Sequence, residues 1–274
     1  IMHYYIYSTK STYLSELTSS RNFGGDQILE LEKNMSNDLS NVKGVTRVLT
    51  QFDLTEVSKS IINGTMTSSV ANEPRFYLRL YETEGNKEST PSYVLGAFPL
   101  SQSWEEGTGD KFANPEIQDG CTWSHRDYRY LNVSWSGDFA TTNEGSGITT
   151  GSRPEAGGGA WYTGSTYQAS QSFSYESPDI NMDVTNIVNH WLAGDIENNG
   201  FLITFSGSEG TGQEVNSGSA SNFSQLKFFS NNTNTIYSPK LEMRWQSHAT
   251  ATGSNTGSLT ELDVTGNVDN YIYM

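Results

Sequence analysis

The chain has 274 residues and a formal net charge of −15, from 16 Lys and Arg against 31 Asp and Glu. Binding of nucleic acid or of an anionic membrane surface needs clustered cations, and the basic residues here are scattered singly along the sequence. We therefore expect neither partner. With 26 Gly, 15 Tyr, 12 Phe and 6 Trp, the composition is typical of an all-β protein with long polar loops, and it is too aromatic for a disordered chain.

Cysteine and histidine provide little material for a metal site. Cys121 is the only cysteine, so the chain alone can form neither a disulfide nor a cysteine-based zinc site, and we interpret Cys121 as a buried free thiol. The four histidines are too far apart in sequence for the spacings that bind zinc.

No apolar run approaches the roughly 18 residues of a membrane span, and residues 1–10 lack the pattern of an export signal.

Residues 1–100 predict a series of strands, because apolar or aromatic residues alternate with polar ones between turn-forming segments. The clearest alternation, at residues 75–81, places Phe76, Leu78 and Leu80 on one face and Arg75, Tyr77, Arg79 and Tyr81 on the other. The other elements predicted within residues 1–100 are strands at residues 5–14, 27–32, 45–54 and 93–100 and a short helix at residues 58–62.

Residues 101–174 form a long Gly-rich segment that contains Trp104, Trp123, Trp135 and Trp161. Structureless loops of this length are uncommon in compact domains, so the segment is predicted either to be functional or to contain short strands near Trp123 and Trp135. A further strand is predicted at residues 172–175.

An amphipathic helix is predicted near residues 184–193, because apolar residues at 184, 187, 188, 191 and 192 fall on one helical face. Asp183 is suited to accept hydrogen bonds from amides at its start, and Gly194 is suited to end it. Strands follow at residues 201–205, 226–230 and 240–245. Together these elements predict an all-β fold, a two-sheet, jelly-roll-like β-sandwich with one short lateral α-helix.

The chain is predicted to have one main domain. Residues 1–247 form the sandwich, and residues 248–258, which are mostly Ala, Thr, Gly and Ser, form a linker. Residues 259–274 resume a strand-like pattern, which we interpret as the start of a further strand segment or as a tail that pairs with another subunit.

Carboxylates in the loop around residue 105 are the candidates for metal binding. Calcium binds several oxygen ligands, and the region offers Glu105, Glu106, Asp110 and Asp119 among glycines, although without EF-hand spacing. A structural calcium ion is therefore the one cofactor we consider. The alternative that Glu105 and Glu106 act as a glycosidase acid and base is disfavoured, because adjacent strand residues point in opposite directions.

The tryptophans have two interpretations. Trp191 and Trp245 are in register with apolar neighbours, which favours core positions. For Trp104, Trp123 and Trp161 a core position is also favoured, since a sandwich of this size needs large residues inside, and stacking against the sugar rings of a glycan is the alternative that makes them candidate ligand-binding residues.

Several segments, in order, resemble the disaggregatase-related family of β-sandwich modules often called DNRLRE. The resemblance spans most of residues 13–245, and Ser-Gly-Asp-Phe at 136–139 replaces the usual Gly-Gly-Asp-Phe. The matching pieces are Asn-Phe-Gly at 22–24, Arg-Val-Leu-Thr-Gln-Phe-Asp-Leu at 47–54, Phe-Tyr-Leu-Arg-Leu-Tyr at 76–81, Trp-Glu-Glu-Gly at 104–107, Gly-Cys-Thr-Trp at 120–123, Trp-Ser-Gly-Asp-Phe at 135–139, Asp-Val-Thr at 183–185 with Trp191, Leu192 and Gly194, Asn-Gly-Phe at 199–201 and Ser-Pro-Lys-Leu at 238–241.

The resemblance implies a mostly non-catalytic module. Some members bind carbohydrate, and similar sequences occur as virion structural proteins of tailed phages, the branch that residues 238–245 and 257–262 look most like. We therefore expect a non-enzymatic fibre, neck, tail or head-surface component that assembles in the host cytoplasm, forms a homo-oligomer and binds other virion proteins. The alternative is a carbohydrate-binding module for a cell-surface glycan. An enzyme ranks last, because the sequence nominates no nucleophile and no acid-base pair.

Overall fold

The computed structural model describes residues 2–34, 44–62, 74–83, 92–129, 133–135, 144–146, 157–162, 165–174, 179–205 and 223–245. In these residues the chain forms fourteen strands and two helices. The strands are β1 Met2–Ser15, β2 Ile28–Asn34, β3 Gly44–Phe52, β4 Arg75–Leu80, β5 Ser92–Pro99, β6 His125–Asp127, β7 Val133–Ser134, β8 Glu144–Ser146, β9 Ala160–Tyr162, β10 Ala169–Ser174, β11 Ile180–Asp183, β12 Phe201–Phe205, β13 Phe223–Phe229 and β14 Lys240–Trp245, and the helices are α1 Thr55–Ile62 and α2 Thr185–Ala193.

Strand β1 joins the two halves of the sandwich. Its first half, from Met2 to Tyr7, pairs with β14, and its second half, from Ser8 to Ser15, pairs with β3. The register shifts between Ser8 and Lys10, where a bulge bends the strand. One half is therefore β1-β14-β4-β11 and the other is β1-β3-β12-β5-β10, all antiparallel, and β10 and β11 contact each other at the far ends. The predicted all-β, two-sheet sandwich is confirmed.

The main core lies between these two halves. Leu78 and Leu241 contribute from one half, and Val48, Leu95 and Ile203 contribute from the other, all fully buried. The alternation predicted for β4 is confirmed, because Phe76, Leu78 and Leu80 are buried while the residues between them are more exposed. Trp191 belongs to this core and Trp245 packs against it partly buried, as the sequence predicted.

A second core covers the other face of β3, β5 and β12. It contains buried residues of these strands and of the Trp-bearing segment, and we call it the tryptophan layer. Its members are Leu14, Val45, Leu49, Phe98, Leu100, Trp104, Cys121, Trp123, Trp135, Ala160, Trp161 and Leu202. Burial on both faces explains why β12 is apolar at every position but one, since a strand covered on both sides cannot alternate. Cys121 is a buried free thiol, as predicted.

Both predicted helices are present. Helix α2 begins after Asp183, whose Oδ1 accepts a hydrogen bond from the Thr185 amide at 3.0 Å. It ends at Gly194 in the left-handed conformation, with φ of 79°, as predicted. Helix α1 begins at Thr55, earlier than expected, because the Asp53 carboxylate caps the Thr55 amide. Neither helix, in the part of the chain described, is long and apolar enough to cross a membrane. The predicted linker at 248–258 and tail at 259–274 lie outside the described residues.

Candidate functional site

The three tryptophans considered for glycan stacking are interior side chains. Trp104, Trp123 and Trp161 are only 2%, 1% and 2% exposed, so none offers a ring face on which a sugar could stack. Trp123 and Trp161 instead both contact Arg47, whose Cζ is 4.5 Å and 5.1 Å from their ring centroids. Arg47 is itself fully buried and donates a 2.7 Å hydrogen bond to the Gly158 carbonyl. The segment from 101 to 161 thus supplies a core layer where it is described, and the core interpretation of these indoles holds.

Glu105 and Glu106, the first two calcium candidates, point to different neighbours. Glu105 forms an ion pair with Arg129 at 2.9 Å. Glu106 turns inward and accepts a 2.8 Å hydrogen bond from the Ser11 amide, and burial raises the pKa of its carboxyl. The two carboxylates are therefore separately bound by groups of the protein.

Asp110 and Asp119 also serve local turns. The Asp119 carboxylate accepts hydrogen bonds from the amide and hydroxyl of Thr108 at 2.8 and 2.6 Å. Asp110 accepts a 2.7 Å hydrogen bond from the Phe112 amide. Across the described ranges no three acidic, His or Cys side chains converge as a metal site would require, so the four calcium candidates are not brought together.

The Asn22 side chain holds the motif segments at 22–24, 104–107 and 120–123 together. Its amide nitrogen donates to the carbonyls of Glu106 and Cys121, both at 2.7 Å, and its oxygen accepts the Gly109 amide at 2.8 Å. Asn22 is fully buried. A buried amide with this many partners ties three separate loops to one point. These motif residues therefore have a structural role.

The outer face of the half-sheet β1-β14-β4 has the composition of a binding surface. We call it the tyrosine face. It consists of five tyrosines and five charged or titratable side chains: Tyr5, Tyr7, Tyr77, Tyr81, Tyr237, His3, Arg79, Lys240, Glu242 and Arg244. Tyr5, Tyr7 and Tyr237 are 44%, 52% and 45% exposed. A contiguous patch of exposed aromatic rings typically marks a contact site, whereas a single exposed ring does not.

Lys240 organises the aromatic part of the tyrosine face. Its Nζ lies 5.3, 5.6 and 4.9 Å from the ring centroids of Tyr5, Tyr7 and Tyr81. Tyr81 in turn contacts Tyr237, with 5.3 Å between ring centroids. Because each ring attracts the ammonium through its negative face, the cation holds three tyrosines around itself, two on β1 and one directly after β4. The result is an ordered aromatic cluster.

Glu242 anchors the charged part of the tyrosine face. Its carboxylate is 2% exposed and accepts hydrogen bonds from Arg244, His3 and Arg79, with distances of 2.9, 2.7 and 2.7 Å. Together these bonds lower the pKa of Glu242 to about 2, and the bond from Arg244 has the largest effect. The guanidinium of Arg244 also lies 3.9 Å from the centroid of the Tyr77 ring. The arginines are thus fixed in place before any partner binds.

The outer side of the half-sheet that carries the tyrosine face is cationic relative to the rest of the molecule. The outward positions of β4, β11 and β14 carry the four cations Arg75, Arg79, Lys240 and Arg244 against the two carboxylates Asp183 and Glu242, whereas the whole chain has a net charge of −15. Cations that are scattered in sequence are therefore brought together by strand pairing.

Comparisons with known proteins provide no assignment: no protein-family model matches the chain, and no curated protein matches it either.

Part of this face could be predicted from the sequence. The alternation at 75–81 correctly placed Arg75, Tyr77, Arg79 and Tyr81 together, but it did not show that β14 and β1 lie next to β4. That adjacency brings Lys240 and the exposed Tyr5 and Tyr7 into the same surface. Nonlocal pairing of this kind leaves no pattern within a single segment.

Proposed function

We propose that this chain is a non-enzymatic structural protein of a tailed-phage virion, which forms a homo-oligomer and binds other virion proteins through the tyrosine face. The observation that carries the proposal is the ordered cluster of exposed tyrosines around Lys240, next to arginines held by Glu242. Tyr and Arg are the residues most enriched at the energetic centres of protein interfaces. The virion as the setting rests on the resemblance to the phage branch of the DNRLRE family.

Preorganisation favours a binding role. Long cationic side chains lose conformational entropy when they are fixed in a complex, and here that loss has already occurred, because Arg79 and Arg244 are bound to Glu242. The first half of β1 adds to the surface. Within the described residues, its backbone edge opposite β14 has no strand partner from Met2 to Tyr7, and such an edge can accept hydrogen bonds from a partner strand.

The proposal is tested in phage particles. The triple variant Tyr5→Ser, Tyr7→Ser and Tyr237→Ser removes the exposed rings and leaves the main core untouched. We expect mature particles to contain this chain when it is wild type and to lose most of it in the variant, as measured by quantitative mass spectrometry. Phe112→Ser is the matched control, because Phe112 is an 87% exposed aromatic residue in a loop and does not belong to the face.

Two results would count against the proposal. The first is that the wild-type chain is missing from purified mature particles. The second is that the triple variant is incorporated as well as wild type while its thermal unfolding is unchanged. The homo-oligomer is tested separately by sedimentation equilibrium of the purified wild-type chain, where a monomer at micromolar concentration would contradict it.

A glycan is the alternative ligand for the same face. Tyrosine rings can stack on sugars, and Tyr5, Tyr7 and Tyr237 are exposed where the predicted tryptophans are not. Binding of a defined glycan on an array that is lost in the triple variant, with normal incorporation into particles, would favour the carbohydrate-binding module over the structural protein.

A further inference from the structure

The first half of β1 has one backbone edge without a strand partner. Strand β14 pairs along one side of Met2–Tyr7. On the other side β3 begins to pair only at Ser8, which lies opposite Phe52. Within the described residues, the side of β1 that faces away from β14 therefore carries no strand from Met2 to Tyr7. We call this side the open edge.

The register of β1 and β14 determines which backbone groups the open edge presents. The Ser8 amide donates a 3.0 Å hydrogen bond to the Pro239 carbonyl, so the N–H and C=O of Ser8 point towards β14. Because successive residues of an antiparallel strand point these groups to opposite sides, residues 2, 4 and 6 also face β14, and His3, Tyr5 and Tyr7 face the open edge. In the part of the chain that is described, the backbone groups of these three residues have no hydrogen-bond partner.

The composition of this part of β1 does not protect the open edge. Natural edge strands typically carry Lys, another charged residue or Pro, which hinder pairing with a second chain. Residues 2–9 contain no Lys, Arg, Asp, Glu or Pro, and the first charged residue is Lys10. Most of their side chains are aromatic or β-branched, and such residues favour strand pairing. The open edge is therefore suited to accept a further strand.

Tyr4 shows that the inner side of the sheet is incompletely covered at this edge. It lies directly opposite Met243, which belongs to the main core, and directly opposite residues point to the same face of a sheet. The Tyr4 side chain is nevertheless 46% exposed. Ile6, the next inner residue of β1, is only partly buried. A strand added at the open edge would cover both side chains.

We propose that the open edge pairs with the open edge of a second copy of this chain, with the two strands antiparallel about a twofold axis at Tyr5. In this register Tyr5 lies opposite Tyr5 of the second copy, and His3 lies opposite Tyr7 of the second copy. Each of these is a hydrogen-bonded pair, in which the two residues exchange both of their bonds. Of the registers with a twofold axis, this one alone gives all three edge-facing residues partners among themselves.

The side chains also favour the same strand as the occupant. In the proposed register Tyr4 lies opposite Ile6 of the second copy on the inner side, and this non-hydrogen-bonded type of pair brings side chains closest together. No cross-strand pair joins two like charges, because residues 2–9 carry no carboxylate and no Lys or Arg. Two chains that each have a net charge of −15 repel each other, so a strand without carboxylates is a favourable place for them to meet.

The inference rests on the proposed homo-oligomer and names the contact between its copies. Pairing through the backbone leaves the outer side chains uncovered, so two tyrosine faces would lie side by side on one continuous sheet. The outer side chains of the open edge are already held by β14, since Lys240 contacts the rings of Tyr5 and Tyr7 and Glu242 binds His3. The strand therefore loses little conformational freedom when it pairs.

Sedimentation equilibrium of the intact chain tests the contact, with Tyr5→Pro and Tyr5→Ser as a matched pair. Both variants lose the ring, but only Tyr5→Pro loses the amide hydrogen, which faces the open edge and is not used by β14. We expect a wild-type dimer with a dissociation constant on the order of 1 µM or lower. Tyr5→Pro should dimerise at least about tenfold more weakly than Tyr5→Ser, because the bonds at the twofold axis are lost. Thermal unfolding checks that both variants are folded.

Cysteine crosslinking tests the register and does not depend on the proline variant. In the proposed pairing the Cα atoms of residue 5 in the two copies are about 5.5 Å apart, which a disulfide can span, whereas those of residue 7 are more than about 10 Å apart. On oxidation with diamide, Tyr5→Cys should form covalent dimers and Tyr7→Cys should not. A mixture of Tyr7→Cys and His3→Cys chains should form mixed dimers. Cys121 is fully buried and does not compete.

Three results would overturn the inference. They are a wild-type monomer at about 10 µM, equal dimerisation of folded Tyr5→Pro and Tyr5→Ser, and crosslinking of Tyr7→Cys as readily as Tyr5→Cys. The last two leave the proposed function intact, because a homo-oligomer would then form through another surface. Absence of the wild-type chain from mature particles would contradict the proposed virion role and not the edge contact, which is measured in solution.

Discussion

The guanidinium of Arg47 lies against the indole of Trp123, with its Cζ atom 4.5 Å from the ring centroid. Trp161 approaches the same guanidinium at 5.1 Å, so a fully buried cation contacts two of the tryptophans for which sugar stacking was the alternative interpretation. The arrangement explains why these residues are inside. Arg47 extends from β3 into the tryptophan layer, and the two indoles provide it with a polarisable, weakly negative environment in place of water.

Replacing Arg47 should destabilise the fold. Arg47→Lys keeps the charge but loses the planar group that contacts both indoles and donates to the Gly158 carbonyl. We expect a loss of about 2 kcal/mol in the free energy of unfolding. Urea denaturation followed by tryptophan fluorescence measures it. The matched control is Arg75→Lys on β4, where the side chain is 66% exposed and the change should be small. Equal stability of Arg47→Lys and wild type would contradict the role assigned to this cation.

Glu242 should make stability depend on pH in the acid range. Its hydrogen bonds, of which the bond from Arg244 has the largest effect, lower its pKa from 4.5 to about 2 in the folded protein. Since a carboxyl with a lowered pKa stabilises the ionised folded state, its contribution is complete above about pH 4.5 and is lost as the pH falls towards 2. Glu242→Gln should therefore cost on the order of 2–3 kcal/mol at pH 7, and this deficit should shrink between pH 4.5 and pH 2.

Urea denaturation of wild type and Glu242→Gln at a series of pH values from 7 to 2.5 checks this expectation. Glu56→Gln on α1 is the control, because Glu56 is 74% exposed and pairs with Lys59 along the helix surface. Its difference from wild type should be small at every pH. A Glu242→Gln deficit that stays constant down to pH 2.5 would show that the network acts through packing and not through charge.

Two glycines should respond differently to alanine. A Cβ on Gly24 would collide with the carbonyl of Glu106 and lie 2.6 Å from the carbonyl oxygen of Gly107, both backbone groups that cannot move aside. We expect Gly24→Ala to cost about 2–3 kcal/mol. At Gly194 a Cβ would meet nothing within 4 Å, and only the positive φ of 79° opposes it, so Gly194→Ala should cost about 1 kcal/mol. Thermal unfolding of both variants measures the difference, and equal costs would refute the close approach at Gly24.

Local patterns determined the predictions that succeeded. The alternation of β4 and the helical spacing of α2 are properties of single segments, and both are present as expected. Gly194 ends α2 because a left-handed residue is needed there and glycine adopts it without strain. A sequence contains this kind of information within about ten neighbouring positions.

The locations of the tryptophans and of the tyrosine face were beyond such patterns. Trp123 follows a glycine-rich segment and has no periodic neighbours, so its burial depends on the face of β3 that it covers. Tyr5 and Lys240 are separated by most of the chain and meet only because β1 pairs with β14. A long-range pairing is decided by the total packing of both strands, which no single segment records.

Cys121 should be inert in the folded protein and reactive only after unfolding. Its side chain is fully buried in the tryptophan layer, and burial raises the pKa of the thiol, so the reactive thiolate is both inaccessible and scarce near neutral pH. We expect reaction with a disulfide reagent at pH 8 to be at least about 100-fold slower in buffer than in 8 M urea, because attack requires opening of the core. Arg47→Lys tests the link to the tryptophan layer: by loosening the packing around Trp123 it should accelerate the native reaction, whereas Arg75→Lys should not. Rapid labelling of the wild-type chain in buffer would show that the layer opens without unfolding.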